Sequence, residues 1–477
     1  MKTKFVSFSL ILLLSSMLCI SNISAQEVWS LEKCISYAIE NSLSVEGGKL
    51  SLQNSEIDAN LAKHRRYPSL SLNSSVGWNF GRTIDPTKNE FITETFFNNG
   101  YGLNSNTTLF NSNKINNTVD RAINDNKATL KDLEQTKRDI ALNVATLYLN
   151  ILFSKENLIN AENQLELTLN QLDQIKKQIS VGNLPENDVL DLEAQLALDE
   201  QNIIEAKNIL IINLLNLKQL LRLNPDHEMD VMAPKDLKLD SNPDVLTFDE
   251  VYQSAMKIQS NIEAGKLRIR SAELGEQIAK ADLYPSLFLN ANARSNYSNK
   301  GVTVDGFESR TTFQDVVINN QNVSVGFKQQ VPNFVETAYL DQVSDNLSYG
   351  VAFSLSVPIY NNNFFRSAVQ RAKLNTMSAN LNYTQLKETL KITIGQALAD
   401  AKAAKSRYTA SGKTLQAQNN LYNNAIKRFE IGNLNGFELT RLKTQMETSR
   451  VNELKAKYDY LFRTKILDFY LGKPISF

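Results

Sequence analysis

Apolar positions recur every seven residues over long stretches of this chain. Leu130, Lys137, Val144, Ile151, Leu158, Leu165, Leu172 and Ile179 form one series, and Leu133, Ile140, Leu147, Ala161 and Ile175 form a companion series. That spacing predicts a coiled-coil seam on a helix from about Asn113 to Ser180, a stretch without proline or glycine. At 1.5 Å per residue such a helix is on the order of 100 Å long, more than a compact globular domain needs. The seam recurs as Ile394, Ala401, Tyr408, Leu415, Tyr422 and Phe429. Elsewhere the period shortens to two. Leu70, Leu72, Val76, Trp78 and Phe80 share one parity, while Ser69, Ser71, Asn73, Ser75 and Asn79 share the other. One face of that strand suits lipid and the other suits water. Val351, Phe353, Leu355, Val357 and Ile359 alternate in the same way with Gly350, Ala352, Ser354 and Ser356, whereas Leu103 to Phe110 and Leu287 to Tyr297 alternate more weakly. Open strand edges are not tolerated in hydrocarbon, and closed membrane barrels begin at about eight strands. A chain with four such strands must therefore oligomerise if the strands enter a membrane.

The pattern is written twice. "SLEKCISYAIENSLSVEGGKL" from Ser30 aligns without gaps with "TFDEVYQSAMKIQSNIEAGKL" from Thr247, and "YPSLSLN" at Tyr67 aligns with "YPSLFLN" at Tyr284, a spacing of 284 − 67 = 217. Further on, "LFNSNKINNTVDRA" matches "IYNNNFFRSAVQRA", and "KQISVGNLPENDVLDLEAQ" matches "KRFEIGNLNGFELTRLKTQ". Arg371 and Gly432 lie 371 − 121 = 432 − 182 = 250 positions after Arg121 and Gly182. The second copy has thus gained 250 − 217 = 33 residues, read as an enlarged loop from about Asn299 to Leu347. The chain reads as a tandem duplication, with a first repeat over 26–223, a proline-bearing linker over 224–246 and a second repeat over 247–477. Gly182 and Gly432 each follow a helix and precede another, which predicts a left-handed cap at a helical hairpin turn.

Residues 1–25 read as a secretory signal peptide: Lys2 and Lys4, an apolar run from Phe5 to about Ile20, and small residues before a cleavage point after Ala25. The run is short for a transmembrane anchor, and the bulky Leu18 before Cys19 disfavours a lipid-modified cysteine. Cleavage leaves Cys34 as the single thiol, so no disulfide holds the mature chain together. With 51 basic and 51 acidic residues, a broad cationic surface for nucleic acid is not expected. His64 and His227 have no metal-ligand spacing around them, and no phosphate loop, nucleophile elbow or zinc-type cysteine pair occurs. No enzyme activity, metal or cofactor is expected.

A secreted chain of two repeats, each running helix, Tyr-Pro-Ser-Leu strand, loop, strand, very long helix, Gly-Asn-Leu turn and helix, resembles the TolC family of outer-membrane efflux proteins over essentially its whole mature length. The resemblance implies a mainly α fold with a small β part. Tandem helical hairpins would form a periplasmic α-barrel, and four strands per chain would contribute to a trimeric 12-stranded outer-membrane β-barrel. It implies a passive exit duct, in the outer membrane of a Gram-negative bacterium and reaching into the periplasm, for a tripartite efflux or type I secretion system. Its partners would be outer-membrane lipid, a periplasmic adaptor protein and an inner-membrane pump of the RND or ABC type. The tips Gly182, Asn183 and Leu184, and Gly432, Asn433 and Leu434, would dock the adaptor. Asp188, Asp191, Glu438 and Arg441 would stand at the periplasmic gate. Here the sequence departs from the family: the arginine of the family's latch is replaced by Leu434, the preceding aromatic is Phe429 without a hydroxyl, and Arg441 stands where a second acid would be. Arg441 or Arg428 could instead pair with Asp188. The competing reading is a non-transporting structural coiled coil of the cell envelope.

Overall fold

The computed structural model describes residues 27–84, 91–93, 95–182, 186–233, 242–318 and 321–473. The signal segment, Asn183, Leu184 and part of the linker fall outside them. The chain divides into two units: a helical one comprising Met1–Glu56, Asn124–Ile269 and Ser378–Phe477, and a sheet-bearing one comprising Ile57–Ile123 and Arg270–Met377.

The helical unit is built twice from the same positions. In the first repeat, α1 (Leu31–Asn41) and the start of α2 (Leu43–His64) pack with α3 (Lys114–Ser180) and α4 (Asp188–Leu221). In the second, α5 (Phe248–Ile258) and the start of α6 (Ser260–Ala281) pack with α8 (Phe364–Glu430) and α9 (Gly436–Leu471). Both short helices are capped by a side chain: Ser30 accepts from Lys33 N, and Thr247 forms a full capping box with Glu250. Each repeat then breaks at one extended residue, Ser42 or Gln259, again 259 − 42 = 217 apart. The buried residues repeat as well. Ala38 and Val45 pack in one core as Ala255 and Ile262 do in the other, and Ile140 and Val144 correspond to Leu390 and Ile394, 250 positions on. The heptad reading is therefore a packing fact where the seam meets these short helices, with Val144, Ile151, Ile394 and Ala401 fully buried. In mid-helix it thins, with Leu158, Leu165 and Leu415 half-buried, and near the turns it closes again at Leu172, Ile175 and Tyr422.

The inter-repeat segment is more than a linker. Met229–Val231 forms a strand (β6) that pairs in parallel with β1 (Glu27–Trp29). Tyr148 donates to the carbonyl of Met232, at 2.7 Å, and Lys155 to that of Val231, at 2.9 Å. The linker's first residues are thus stitched onto α3.

In the sheet-bearing unit, four strands form one antiparallel sheet in the order β10 (Ser348–Ser356), β7 (Ser286–Ser298), β5 (Phe96–Phe110), β2 (Ser69–Asn79). The two repeats meet where β5 pairs β7. All four junctions with helices lie at one end of this sheet, and both strand connections lie at the other. The strand-to-helix junctions at Ser112–Asn113 and Asn362–Asn363 place two successive residues in the left-handed region, with φ from 51° to 66°. The short polar side chains Asn and Ser tolerate that conformation, which accounts for the repeated asparagine cluster there.

The enlarged connection differs from the expected loop. It is a long hairpin, β8 (Val302–Ile318) with β9 (Gln321–Glu336), followed by a short helix α7 (Tyr339–Asp345). The smaller connection carries a two-residue pairing, β3 (Thr83–Ile84) with β4 (Phe91–Ile92). Helix α7 lies against the far ends of β5 and β7. Its Tyr339 hydroxyl is 2.5 Å from the Tyr101 hydroxyl and accepts from Asn99, and Ser295 donates to the Val343 carbonyl at 2.6 Å. These covered residues share the parity of Leu103 and Leu72. The weak alternation of β5 and β7 has one cause in α7, which covers Asn99, Tyr101 and Ser295, while Ser105 and Thr107 stand on the same face nearer the helix end.

Candidate functional site

The sheet has one apolar and one polar face across all four strands. In register, Leu70 and Leu72 of β2 stand beside Ser105 and Leu103 of β5, Ala291 and Ala293 of β7, and Val351 and Tyr349 of β10. Among the described residues nothing covers the apolar side beyond α7: Leu72 is 74% exposed and Phe353 69%. Exposed aromatics bracket the strands themselves: Trp78 and Tyr349 stand on the apolar face toward the far end, and Tyr67 and Tyr360 lie just beyond the strands at the helix end. Each bracket spans eleven positions (78 − 67 and 360 − 349), about 36 Å along a strand and about 26–30 Å along the axis at a tilt of 35–45°. Apolar bands of transmembrane barrels are about 25 Å tall between aromatic girdles.

The opposite face carries Ser71, Asn73, Asn104, Asn106, Asn290, Asn292 and Ser354. Asn106 donates to Asn290 at 2.6 Å, and Asn290 donates to Ser354 at 3.0 Å. This amide ladder binds β5, β7 and β10 across the repeat junction and presents a surface that water wets. Strands β2 and β10 are the sheet's outer strands, each with one edge unpaired among the described residues.

At the turns joining the long helices, the glycine reading holds. Gly182 has φ +78° and Gly432 φ +74°. The Gly432 amide bonds the Phe429 carbonyl at 2.9 Å and the Asn433 amide bonds that of Arg428 at 2.8 Å, the paired bonds of a Schellman cap. Asn435 then caps α9 by accepting from Glu438 N at 2.8 Å. Leu434 is half-buried against Phe429, Tyr422 and Leu439 of its own hairpin, so it braces the turn. The apolar side chains turned to solvent are instead those just before each glycine: Val181 and Ile431 are each 70% exposed, and Phe437 is exposed nearby. The repeat alignment had put Val181 and Ile431 in register without singling them out.

Of the four gate candidates, Asp191 and Arg441 line one open groove with Thr414, Gln418, Phe437 and Thr440. Glu438 holds Arg441 in a bidentate pair one helical turn away, at 2.9 and 2.5 Å. That guanidinium keeps the Glu438 carboxyl below its ordinary range. The side chain of Asp188 lies outside the described residues.

A second polar group escaped the sequence reading. Lys443 of α9 is 0% exposed and donates to the Thr168 hydroxyl of α3 at 2.6 Å. Thr168 in turn donates to the buried Asp199 of α4, which also accepts from Gln195 at 2.7 Å. Glu447, one turn beyond Lys443, is pushed by burial up to about 7, against the opposing pull of Lys443. Three helices from both repeats are pinned here. Among the described residues no cluster of His, Cys, Asp and Glu could hold a metal ion, and no helix is long and apolar enough to cross a membrane.

The model of the outer membrane efflux protein family matches residues 34–221 and 251–473. Among solved structures the fold is similar to that of CusC, described as forming a transmembrane channel, with TM-score 0.75 at 16% identity over 93% of this chain and 92% of that one. It is similar also to the outer membrane protein VceC of Vibrio cholerae (0.72, 15%, 92% and 94%) and to the CmeC outer membrane channel of Campylobacter jejuni (0.71, 17%, 93% and 85%). No curated protein matches the sequence at a significant level.

Proposed function

The chain belongs to the outer membrane efflux protein family, and we propose that three copies of this outer-membrane channel close one barrel and serve as the exit duct of a tripartite efflux or secretion system. The observation that carries the trimer is the sheet itself: four strands, an uncovered apolar face and an unpaired edge on both β2 and β10. In hydrocarbon each unpaired backbone group costs several kcal/mol, so β2 of one copy pairs with β10 of the next. Three copies give twelve strands, enough to close around a wet lumen lined by the asparagine ladder. Mass measurement in detergent and single-channel recording test this together. A trimer with steady conductance is the expected result; a stable monomer, or a trimer that never conducts, rules the reading out.

The helical tips dock a periplasmic adaptor, which passes substrate from an inner-membrane pump. Support comes from Val181 and Ile431, apolar side chains held in solvent by glycine caps that constrain the turns. The gate has a different electrostatic character from one with two acidic rings, because Glu438 and Arg441 cancel within one turn; cations are then attracted less strongly. Replacing Ile431 by aspartate sets three like charges on the docking ring without touching the half-buried Leu434. Export is expected to fall at least tenfold with normal outer-membrane levels, and adaptor cross-linking to be lost. Wild-type export in Ile431→Asp would remove this tip from the mechanism.

A further inference from the structure

The β8–β9 hairpin is the longest strand pairing in the chain, running from Val302 opposite Glu336 to Ile318 opposite Gln321, and it pairs with no other strand among the described residues. A lone two-stranded ribbon is marginal in water, yet the base of this one is rigidly set. Thr337 N bonds the Gly301 carbonyl at 3.1 Å. The buried Gln342 of α7 accepts from Ser298 N at 3.1 Å and donates to the Thr337 carbonyl at 2.9 Å. A Cβ at Gly301 would sit 2.3 Å from the Gln342 Oε1, so only glycine lets the clamp close. Such a base aims the hairpin in one direction.

Both faces of the ribbon bear exposed apolar groups. Val316, Val323 and Phe327 share one face; Phe307, Phe313 and Val317 share the other. Each face also carries charges of both signs, Arg310 and Glu308 on the first, Lys328, Asp315 and Glu336 on the second. Docking onto a single foreign surface calls for one apolar face. Two dissimilar faces are what a head-to-tail ring requires, each copy offering one face to the neighbour on either side. In chain order the hairpin and α7 lead directly into β10, whose free edge is the seam between copies in the trimer. A twelve-stranded barrel is about 25 Å across, which spaces three hairpin bases about 20 Å apart, while β8 extends about 55 Å. Neighbouring hairpins are well within reach.

We propose that the three hairpins pack on one another, the Val316–Val323–Phe327 face of one against the Phe307–Phe313–Val317 face of the next, as a collar beyond the extracellular end of the barrel. The proposal rests on the trimer reading, and its test separates the two. Spin labels are placed on full-length protein at Gln314→Cys in the hairpin and, separately, at Ala352→Cys in β10. The native Cys34 is buried and its thiol pushed up to about 12, so it stays unlabelled. Narrow inter-subunit distances of about 20 Å are expected at both sites by the same barrel geometry. In the Gln314→Cys background, Val323→Ser with Phe327→Ser is expected to broaden the hairpin distances and leave the sheet's assembly intact. A short distance at Ala352 with broad or long distances, beyond about 40 Å, at Gln314 overturns the collar alone, and leaves the hairpins free for another partner. No coupling at Ala352 overturns the trimer, and the collar with it.

Discussion

Replacing Asp199 by alanine is expected to destabilise the helical unit by about 1–3 kcal/mol, because it removes the buried acceptor of the Thr168 hydroxyl and one of the two carboxylates, with Glu447, that face the buried Lys443 ammonium. Lys443 has no exposure, and Thr168 reaches it only as a neutral relay toward Asp199. Removing both partners, as Asp199→Leu with Lys443→Met, should recover most of the loss, since replacing both ends of a buried polar network by apolar groups of similar shape is often nearly neutral. Thermal unfolding followed by helix signal distinguishes the two: equal losses in the single and double variants would make the contact ordinary packing. The cluster also sets a pH dependence. Glu447 titrates near 7 when folded and at its ordinary 4.5 when unfolded, so the folded state holds the proton more tightly. Its contribution is fully present below pH 4.5 and is lost as pH rises through about 7. Lys443, Asp199 and Arg450 are the charged groups facing it. Between pH 5 and 7.5 wild-type stability should fall by at most about 3 kcal/mol from this group, and Glu447→Gln should flatten the slope. A Glu447→Gln curve parallel to wild type would place the titration elsewhere.

That cluster shows why part of the molecule was hidden in the sequence. A heptad count records apolar positions, and Lys443, Thr168 and Asp199 are the residue types usually found on solvated helix faces. Only the meeting of three helices from two repeats makes them interior. The tips were legible because a glycine between two helices has one common use, whereas the exposure of Val181 and Ile431 depends on how each turn folds back on its own hairpin. The outer strands were legible for a different reason: β2 and β10 bear uncovered apolar faces, and on those faces only Ser74 interrupts the alternation. The inner strands blurred because α7, contributed from the inserted segment, shelters Asn99, Tyr101 and Ser295 on the apolar side. The hairpin itself went unread because its alternation changes phase at the bulge between Val304 and Phe307, where Gly306 takes φ +85°. Duplication supplied what periodicity lacked: the 217- and 250-residue spacings located the insertion, though not its structure.

The assignment of the two sheet faces leads to the expectation that Phe353→Lys abolishes assembly while Ser354→Lys, one residue on, permits it. Phe353 stands opposite Leu289 on the apolar face, between the girdle aromatics Tyr349 and Tyr360. A lysine near the middle of that band costs about 2–4 kcal/mol, and the proposed trimer repeats it three times. Ser354 points the other way, where the change forfeits one 3.0 Å bond from Asn290 and sets three cations in water. Outer-membrane yield of trimer should therefore collapse for Phe353→Lys and stay within about twofold of wild type for Ser354→Lys. In a planar bilayer the Ser354→Lys channel should conduct with selectivity shifted toward anions, since a ring of like charges repels its own sign. If Ser354→Lys blocked insertion while Phe353→Lys assembled, the sheet would be turned inside out. If both assembled with unaltered selectivity, neither face would line the conducting path.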